Sequence, residues 1–178
     1  DFLCQLCSKQ LQYKAYTYSF GLSLYDYHSV MRSLILGVKL ELSPLHLLAV
    51  KKIFLSSLDL SLLMKKNFFA VCPSPSSLES RLRGAFDLAW YLAYFISKKF
   101  KVKLITPPQK NYYNTKKRSK YEDRETPELR PFKNDKQHKI LLVDDVLTSG
   151  KTITKLQKSF PNFSCYFITL ADAWLTRR

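Results

Sequence analysis

No stretch of this sequence stays apolar long enough to cross a membrane as a helix. The longest run without a charged side chain, Ser159 to Ala171, is 13 residues, whereas a spanning helix takes about 20. Nor does the chain open on a basic-then-apolar signal segment. It opens at Asp1 rather than Met, which leaves room for residues upstream. Acidic residues are scarce, 14 against 29 Lys and Arg, so the net charge is +15. The three histidines, His28, His46 and His138, belong to no motif. No nucleophile–base pair suggests a hydrolase, and there are no internal repeats.

What is present suits one compact domain. The chain has 178 residues, and 46% are hydrophobic. That is enough to bury a core without disulfide staples and too apolar for a disordered tail. Four cysteines occur in an unpaired-looking pattern: Cys4 and Cys7 form a CxxC, and Cys72 and Cys165 lie far off in apolar stretches. Without a secretory signal, a CxxC reads as metal-binding or redox rather than as a structural disulfide. We therefore expect a cytoplasmic protein with reduced thiols. Cys4 and Cys7 have the spacing of half a zinc site, and no second CxxC supplies the remaining Zn²⁺ ligands. Cys72 and Cys165 read as core thiols.

A charge of +15 attracts polyanions: nucleic acid, anionic lipid or phosphorylated small molecules. Solubility alone is the plainer alternative. The distribution sharpens the case, because residues 98 to 139 hold 14 Lys and Arg against 5 acids. Within them Lys116, Lys117, Arg118 and Lys120 lie beside Tyr112, Tyr113 and Tyr121. Cations that meet phosphates and rings that stack on bases suit single-stranded nucleic acid. A solvated loop and a loop that closes over a substrate are the competing readings.

Patterning along the chain divides it into a short head, residues 1–12, and a larger domain, residues 13–178. Tyr13 to Tyr27 is rich in Tyr, Phe and Thr and predicts one or two strands broken at Gly21. Val30 to Lys39 has helical spacing, and Pro44 opens a second helix through about Leu55. Phe68 to Cys72 predicts a buried strand. Ser80 to Lys99 predicts one long amphipathic helix with Leu82, Phe86, Ala89, Trp90, Ala93 and Ile96 on its inner side. Val102 to Ile105 predicts a strand, and residues 107 to 138 a long basic loop. Lys139 to Val143, Gly150 to Phe160 and Ser164 to Leu170 predict strand, helix and strand. The β–α–β order predicts an α/β fold with a parallel sheet flanked by helices, which binds ligands at the carboxyl ends of its strands.

The most informative stretch runs from Ile140 to Thr152. Four aliphatic residues lead into Asp144 and Asp145, and a small hydroxyl-rich turn then opens a helix. Two adjacent acids repel unless something pairs with them, and the hydroxyls of a sugar diol can donate to carboxylates. Thr148 to Thr152 offers successive backbone N–H groups and hydroxyls at a helix N-terminus, a cradle for phosphate. A P-loop is excluded, because the glycine that its pattern needs five residues before Gly150 is replaced by Asp145.

This segment resembles the phosphoribosyl pyrophosphate (PRPP) motif of type I phosphoribosyltransferases. The chain as a whole is similar to the ComF (ComFC) competence-protein family. The resemblance includes the CxxC, the Tyr-rich strand, Ile35 and Lys39, the Cys72-Pro73-Ser74-Pro75 loop, the Arg81 to Phe86 segment and the basic loop ending near Arg124 and Phe132. It implies a type I phosphoribosyltransferase fold with a remnant of a zinc-ribbon-like head. It implies that Asp144 and Asp145 bind the ribose hydroxyls. Thr148, Ser149, Gly150, Lys151 and Thr152 would hold the 5′-phosphate, with Val146 and Leu147 also in the PRPP-binding stretch, and the loop from Cys72, Pro73 and Ser74 to Ser76 would bind pyrophosphate. Arg81, Arg83 and Lys39 would stabilise charge during transfer from PRPP with Mg²⁺. The resemblance further implies a role in DNA uptake and natural transformation, with single-stranded DNA and other competence proteins as partners. A metabolic phosphoribosyltransferase acting on a base or amine, and a DNA-binding adaptor without catalysis, are the alternatives.

Overall fold

A computed structural model describes residues 5–11, 13–58, 66–77, 80, 82–107 and 138–173. The elements in chain order are α1 (Gln5–Gln10), β1 (Tyr13–Tyr18), β2 (Gly21–Asp26), α2 (Ser29–Lys39), α3 (Pro44–Ser57), β3 (Phe68–Pro73), α4 (Leu88–Phe100), β4 (Lys103–Leu104), β5 (Lys139–Leu147), α5 (Lys151–Lys158) and β6 (Ser164–Asp172). The strands form one six-stranded sheet in the order β1-β2-β6-β5-β3-β4. β1 pairs antiparallel with β2, and every other pairing is parallel. The fold is α/β, a mostly parallel sheet flanked by helices.

The parallel strands read as unbroken apolar runs because both of their faces are covered. In β5, Leu141 and Val143 join a core with α2, α3 and α4, while Ile140 and Leu142 join a second core with Ile153 and Leu156 of α5. Both cores are dry: Leu24, Val50, Phe54, Leu92, Ile140, Leu142 and Leu156 are fully buried. Helix starts follow local chemistry. Ser43 caps α3, its Oγ accepting from His46 N at 3.5 Å, with Pro44 in the first turn. Asp87 caps α4, its Oδ1 accepting from Trp90 N at 3.0 Å.

That cap corrects the long helix expected over Ser80 to Lys99. Gly84 takes φ +68, a left-handed conformation that interrupts a right-handed helix, and α4 begins only at Leu88. Leu82 and Trp90, expected on the inner side, are exposed, and the buried stripe is Leu88, Ala89, Leu92, Ala93 and Ile96. Other bounds also shift. β5 does not stop at Val143 but runs through both acids to Leu147, because β6 continues beside it to Asp172 and supplies the ladder. Only Lys103–Leu104 of the strand expected over Val102 to Ile105 pairs with β3. The described part of the CxxC head contains a six-residue helix at Gln5–Gln10 that carries Cys7. A zinc-ribbon-like head finds no support in it. The basic loop, with Tyr112, Tyr113, Lys116, Lys117, Arg118 and Lys120, lies outside the described residues, as do Cys4 and Arg81.

Candidate functional site

The sheet topology fixes where a ligand crevice falls. From β3 the chain crosses through α4 to β4 on one side, and from β5 it crosses through α5 to β6 on the other. The two helices cover opposite faces, as the two cores show. The chain therefore diverges between the adjacent strands β3 and β5. In open parallel sheets, ligands bind at the carboxyl ends of strands beside such a switch point. A cavity of about 240 Å³ lies there, lined by Lys39, Ser74–Ser77, Ser80, Phe86–Ala89, Asp144, Asp145, Val146 and Thr152.

Each wall has a distinct source. β5 supplies Asp144 and Asp145. The turn after β3 supplies Ser74, whose N–H donates to Val143 O at 2.7 Å and so anchors the turn to β5. Lys39 ends α2, and its carbonyl accepts from Phe86 N at 3.2 Å, which ties the segment before α4 to the same corner. The N-terminus of α4 contributes Asp87, Leu88 and Ala89, and the first turn of α5 contributes Thr152. Gly150, at φ +69, caps α5 in a left-handed conformation available to glycine without steric cost.

The two acids have unequal partners. Asp145 is buried and accepts an ion pair from Lys39. Its other oxygen accepts from Val146 N at 2.9 Å. Burial alone would push the Lys39 ammonium down, but the charge and hydrogen bond of Asp145 outweigh it and the net shift is upward. Asp144 accepts from Ser74 Oγ at 2.6 Å and from Asp145 N at 2.9 Å. Those bonds favour its carboxylate, yet desolvation and the neighbouring charge of Asp145 prevail and push it up to about 8. At neutral pH the cavity thus holds a carboxyl group poised between protonation states, with hydroxyls around it and a helix N-terminus on either side. Such a group is held as a carboxylate by a cation or by hydroxyl donors. Among the described residues no cluster of three or more His, Cys, Asp or Glu could cage a metal unaided. A divalent cation bridged by a ligand's own oxygens fits this donor set.

The remaining expected site residues divide between cavity and core. Ser74 and Thr152 line the cavity. Cys72 is fully buried in the core on the α5 side, and burial raises its thiol far above the usual range. Pro73 ends β3. Neither Cys72 nor Pro73 is a wall of the cavity. Leu147 is buried in the α5-side core, Thr148, Ser149 and Lys151 are exposed, and Arg83 is exposed outside the cavity lining. Ser77, Ser80 and Asp87 line the cavity without having been expected there. The serine-rich run after Pro73 was the available signal for the first two. Nothing in the pattern separated Asp87 from a residue inside a long helix.

No protein-family description matches this chain. No curated protein matches it either. Among solved structures, the chain is similar to the UMP synthase of Leishmania donovani at 17% identity and a TM-score of 0.41. The match covers 94% of this chain and 30% of that one. The chain thus spans about a third of the length of that enzyme.

Proposed function

We propose that the protein binds PRPP with Mg²⁺ in the cavity between β3 and β5, as a type I phosphoribosyltransferase-like protein. The observation that carries the reading is the pair Asp144–Asp145 at a switch point, one acid neutralised by Lys39 and the other not. A ribose diol donates to both carboxylates. The 5′-phosphate lies against the Thr148–Thr152 turn at the start of α5, where N–H groups and the helix dipole favour an anion. The pyrophosphate lies against the Ser74–Ser77 turn and the start of α4. Mg²⁺ would be held by PRPP oxygens together with Asp144, and it supplies charge neutralisation for the diphosphate.

In catalysis, the bond from ribose C1 to the pyrophosphate oxygen breaks, and the acceptor's lone pair forms the new bond at C1. The carboxylates Asp144 and Asp145 hold the ring while positive charge develops at C1. Lys39 holds Asp145 in place through their ion pair. Arg81 and Arg83 stand for the cations that follow the pyrophosphate turn in sequence. The resemblance to the ComF family extends the proposal to DNA uptake in the cytoplasm, with single-stranded DNA as partner of the basic segment around Lys116 and Tyr112. Among the described residues, no helix is long and apolar enough to cross a membrane.

Calorimetric titration with PRPP and Mg²⁺ tests the site, wild type beside Asp144→Asn/Asp145→Asn. Saturable binding that the double variant loses is the expected result. A folded wild type that takes up no heat of binding overturns the reading.

A further inference from the structure

Five aromatic rings run without a gap from the cavity wall to the surface of α4. Phe86, in the wall, meets Tyr91 edge-on at 5.4 Å. Tyr91 meets Phe95 at 4.6 Å, Phe95 meets Tyr94 at 5.6 Å, and Tyr94 stacks on Trp90 at 5.5 Å with the planes only 11° apart. Trp90 is 44% exposed, large for a tryptophan on a helix whose inner stripe is fully buried. Cations bracket the series. Lys51 Nζ sits 4.0 Å from the Phe95 ring centre, and Lys98 Nζ sits 5.6 Å from that of Tyr94. Residues 44–57 and 88–104, the helix α3 and the unit α4–β4, hold six lysines and no acid.

Burial does not fully explain the Trp90–Tyr94 stack, since an indole left 44% exposed on a partly buried tyrosine forgoes a large share of its hydrophobic gain. Nor does solubility require rings among the lysines. Parallel ring planes beside ammonium groups present a stacking platform with phosphate contacts alongside it. A membrane surface would favour a broad apolar face that enters lipid, whereas here Tyr91, Tyr94 and Phe95 are only partly exposed and one open ring, Trp90, stands near Lys98 and Lys51, which suits a single stacked base.

We infer that α4 is a docking surface for single-stranded nucleic acid, with a base stacked on Trp90 and phosphates against Lys98 and Lys51. It is a second nucleic-acid contact, separate from the basic segment around Lys116. It rests on the nucleic-acid part of the proposed function and locates it. Phe86 ends the ring series at the cavity wall and Trp90 ends it at the surface, so the stacked base and the cavity are joined only through the intervening rings.

The test is fluorescence anisotropy on the full chain with a labelled oligo-dT of about 15 nucleotides and an abasic oligomer of the same length. The variants are W90A, W90F and K51A/K98A. Wild type binds oligo-dT, and W90A binds it about tenfold more weakly, the span of one lost base–aromatic stack. W90F restores most of the affinity, and the abasic oligomer does not distinguish the three. K51A/K98A weakens both oligomers and flattens the salt dependence. Calorimetry on W90A gives wild-type PRPP affinity and circular dichroism a wild-type helix signal. If W90A binds oligo-dT as wild type does, this surface is wrong while nucleic-acid binding stands. If wild type binds neither oligomer, both are wrong. Loss of binding by W90A to phosphatidylglycerol vesicles, with oligo-dT unaffected, makes the surface a lipid one and overturns the inference.

Discussion

Lys39, the last residue of α2, and Asp145, near the end of β5, form an ion pair across 106 residues of sequence. The contact joins the two-helix unit α2–α3 to the central strand at the point where the cavity opens. It also sets two adjacent carboxylates apart, because Asp145 bonds to a cation while Asp144 accepts from Ser74 Oγ and a backbone N–H. Removing the ammonium leaves Asp145 buried beside a second acid. K39A should lose about 2 kcal/mol in urea denaturation, the cost of an orphaned buried charge reduced for the partial exposure of Lys39. Asp145→Asn in the K39A background should recover part of that loss, which a purely steric role for Lys39 would not allow.

Asp144 carries a pH signature of its own. Its folded value, raised from 3.8 to about 8, means that the folded state keeps a proton the unfolded chain releases. Stability from this group is fully present below the lower value and is lost as pH rises through the upper one. Denaturation midpoints should therefore fall between pH 4 and pH 8 in wild type. The fall should be smaller in D144N. A slope unchanged by D144N would assign the effect elsewhere.

Ligand binding should reverse that preference. Hydroxyl donors and a cation both favour the carboxylate, so PRPP with Mg²⁺ should expel the proton from Asp144. At pH 7 the observed enthalpy should then depend on the ionisation heat of the buffer, with up to about one proton released per site. D144N should show no such dependence in whatever binding it retains. Affinity in wild type should rise with pH toward 8 and then level off.

Gly150 holds φ +69 at the start of α5. G150A places a Cβ in the left-handed region and should cost about 1 kcal/mol. Because the same residue shapes the turn proposed to hold the 5′-phosphate, the variant should also bind PRPP more weakly. Melting curves with and without PRPP and Mg²⁺ separate the effects: the ligand should raise the midpoint less in G150A than in wild type.

A control lies on the far side of the sheet. A Cβ built on Gly21 would stand 2.1 Å from the Phe167 ring, and that ring is itself fenced by Tyr18 and Phe20. G21A should destabilise by about 2 kcal/mol through overpacking. Its PRPP affinity at a temperature where it is folded should match wild type.

Much of this arrangement was legible in the sequence because its causes are local. Val30–Lys39 and Pro44 onward announced their helices by spacing and by the Ser43–Pro44 cap. The aliphatic run at Ile140–Val143 announced a strand buried on two faces, and of the acids and hydroxyl turn after it Asp144, Asp145 and Thr152 line the cavity. The errors have non-local causes. Asp144 and Asp145 lie inside β5 because β6 extends far enough to pair with them, and no residue near them reports that length. The segment from Ser80 to Asp87 has adequate helical spacing, but the bond from Phe86 N to Lys39 O draws it across the cavity. Gly84 was the local hint and was outweighed by periodicity. Lys39 entered by resemblance alone, as a charge that stabilises transfer, and its pairing with Asp145 was not expected, since nothing in a sequence measures a distance across 106 residues.

β5 is hydrogen-bonded to β3 on one side and β6 on the other. Its acids are therefore mounted on the part of the molecule that opens last. Backbone amides flanked on both sides of a sheet exchange with solvent through global unfolding, not through local fraying. On the opposite wall, the described stretches 74–77 and 83–87 are turn and coil. The cavity thus joins a fixed jaw to one made of turns. Under the proposed function, the ribose of the substrate would meet the fixed jaw and its diphosphate leaving group the other.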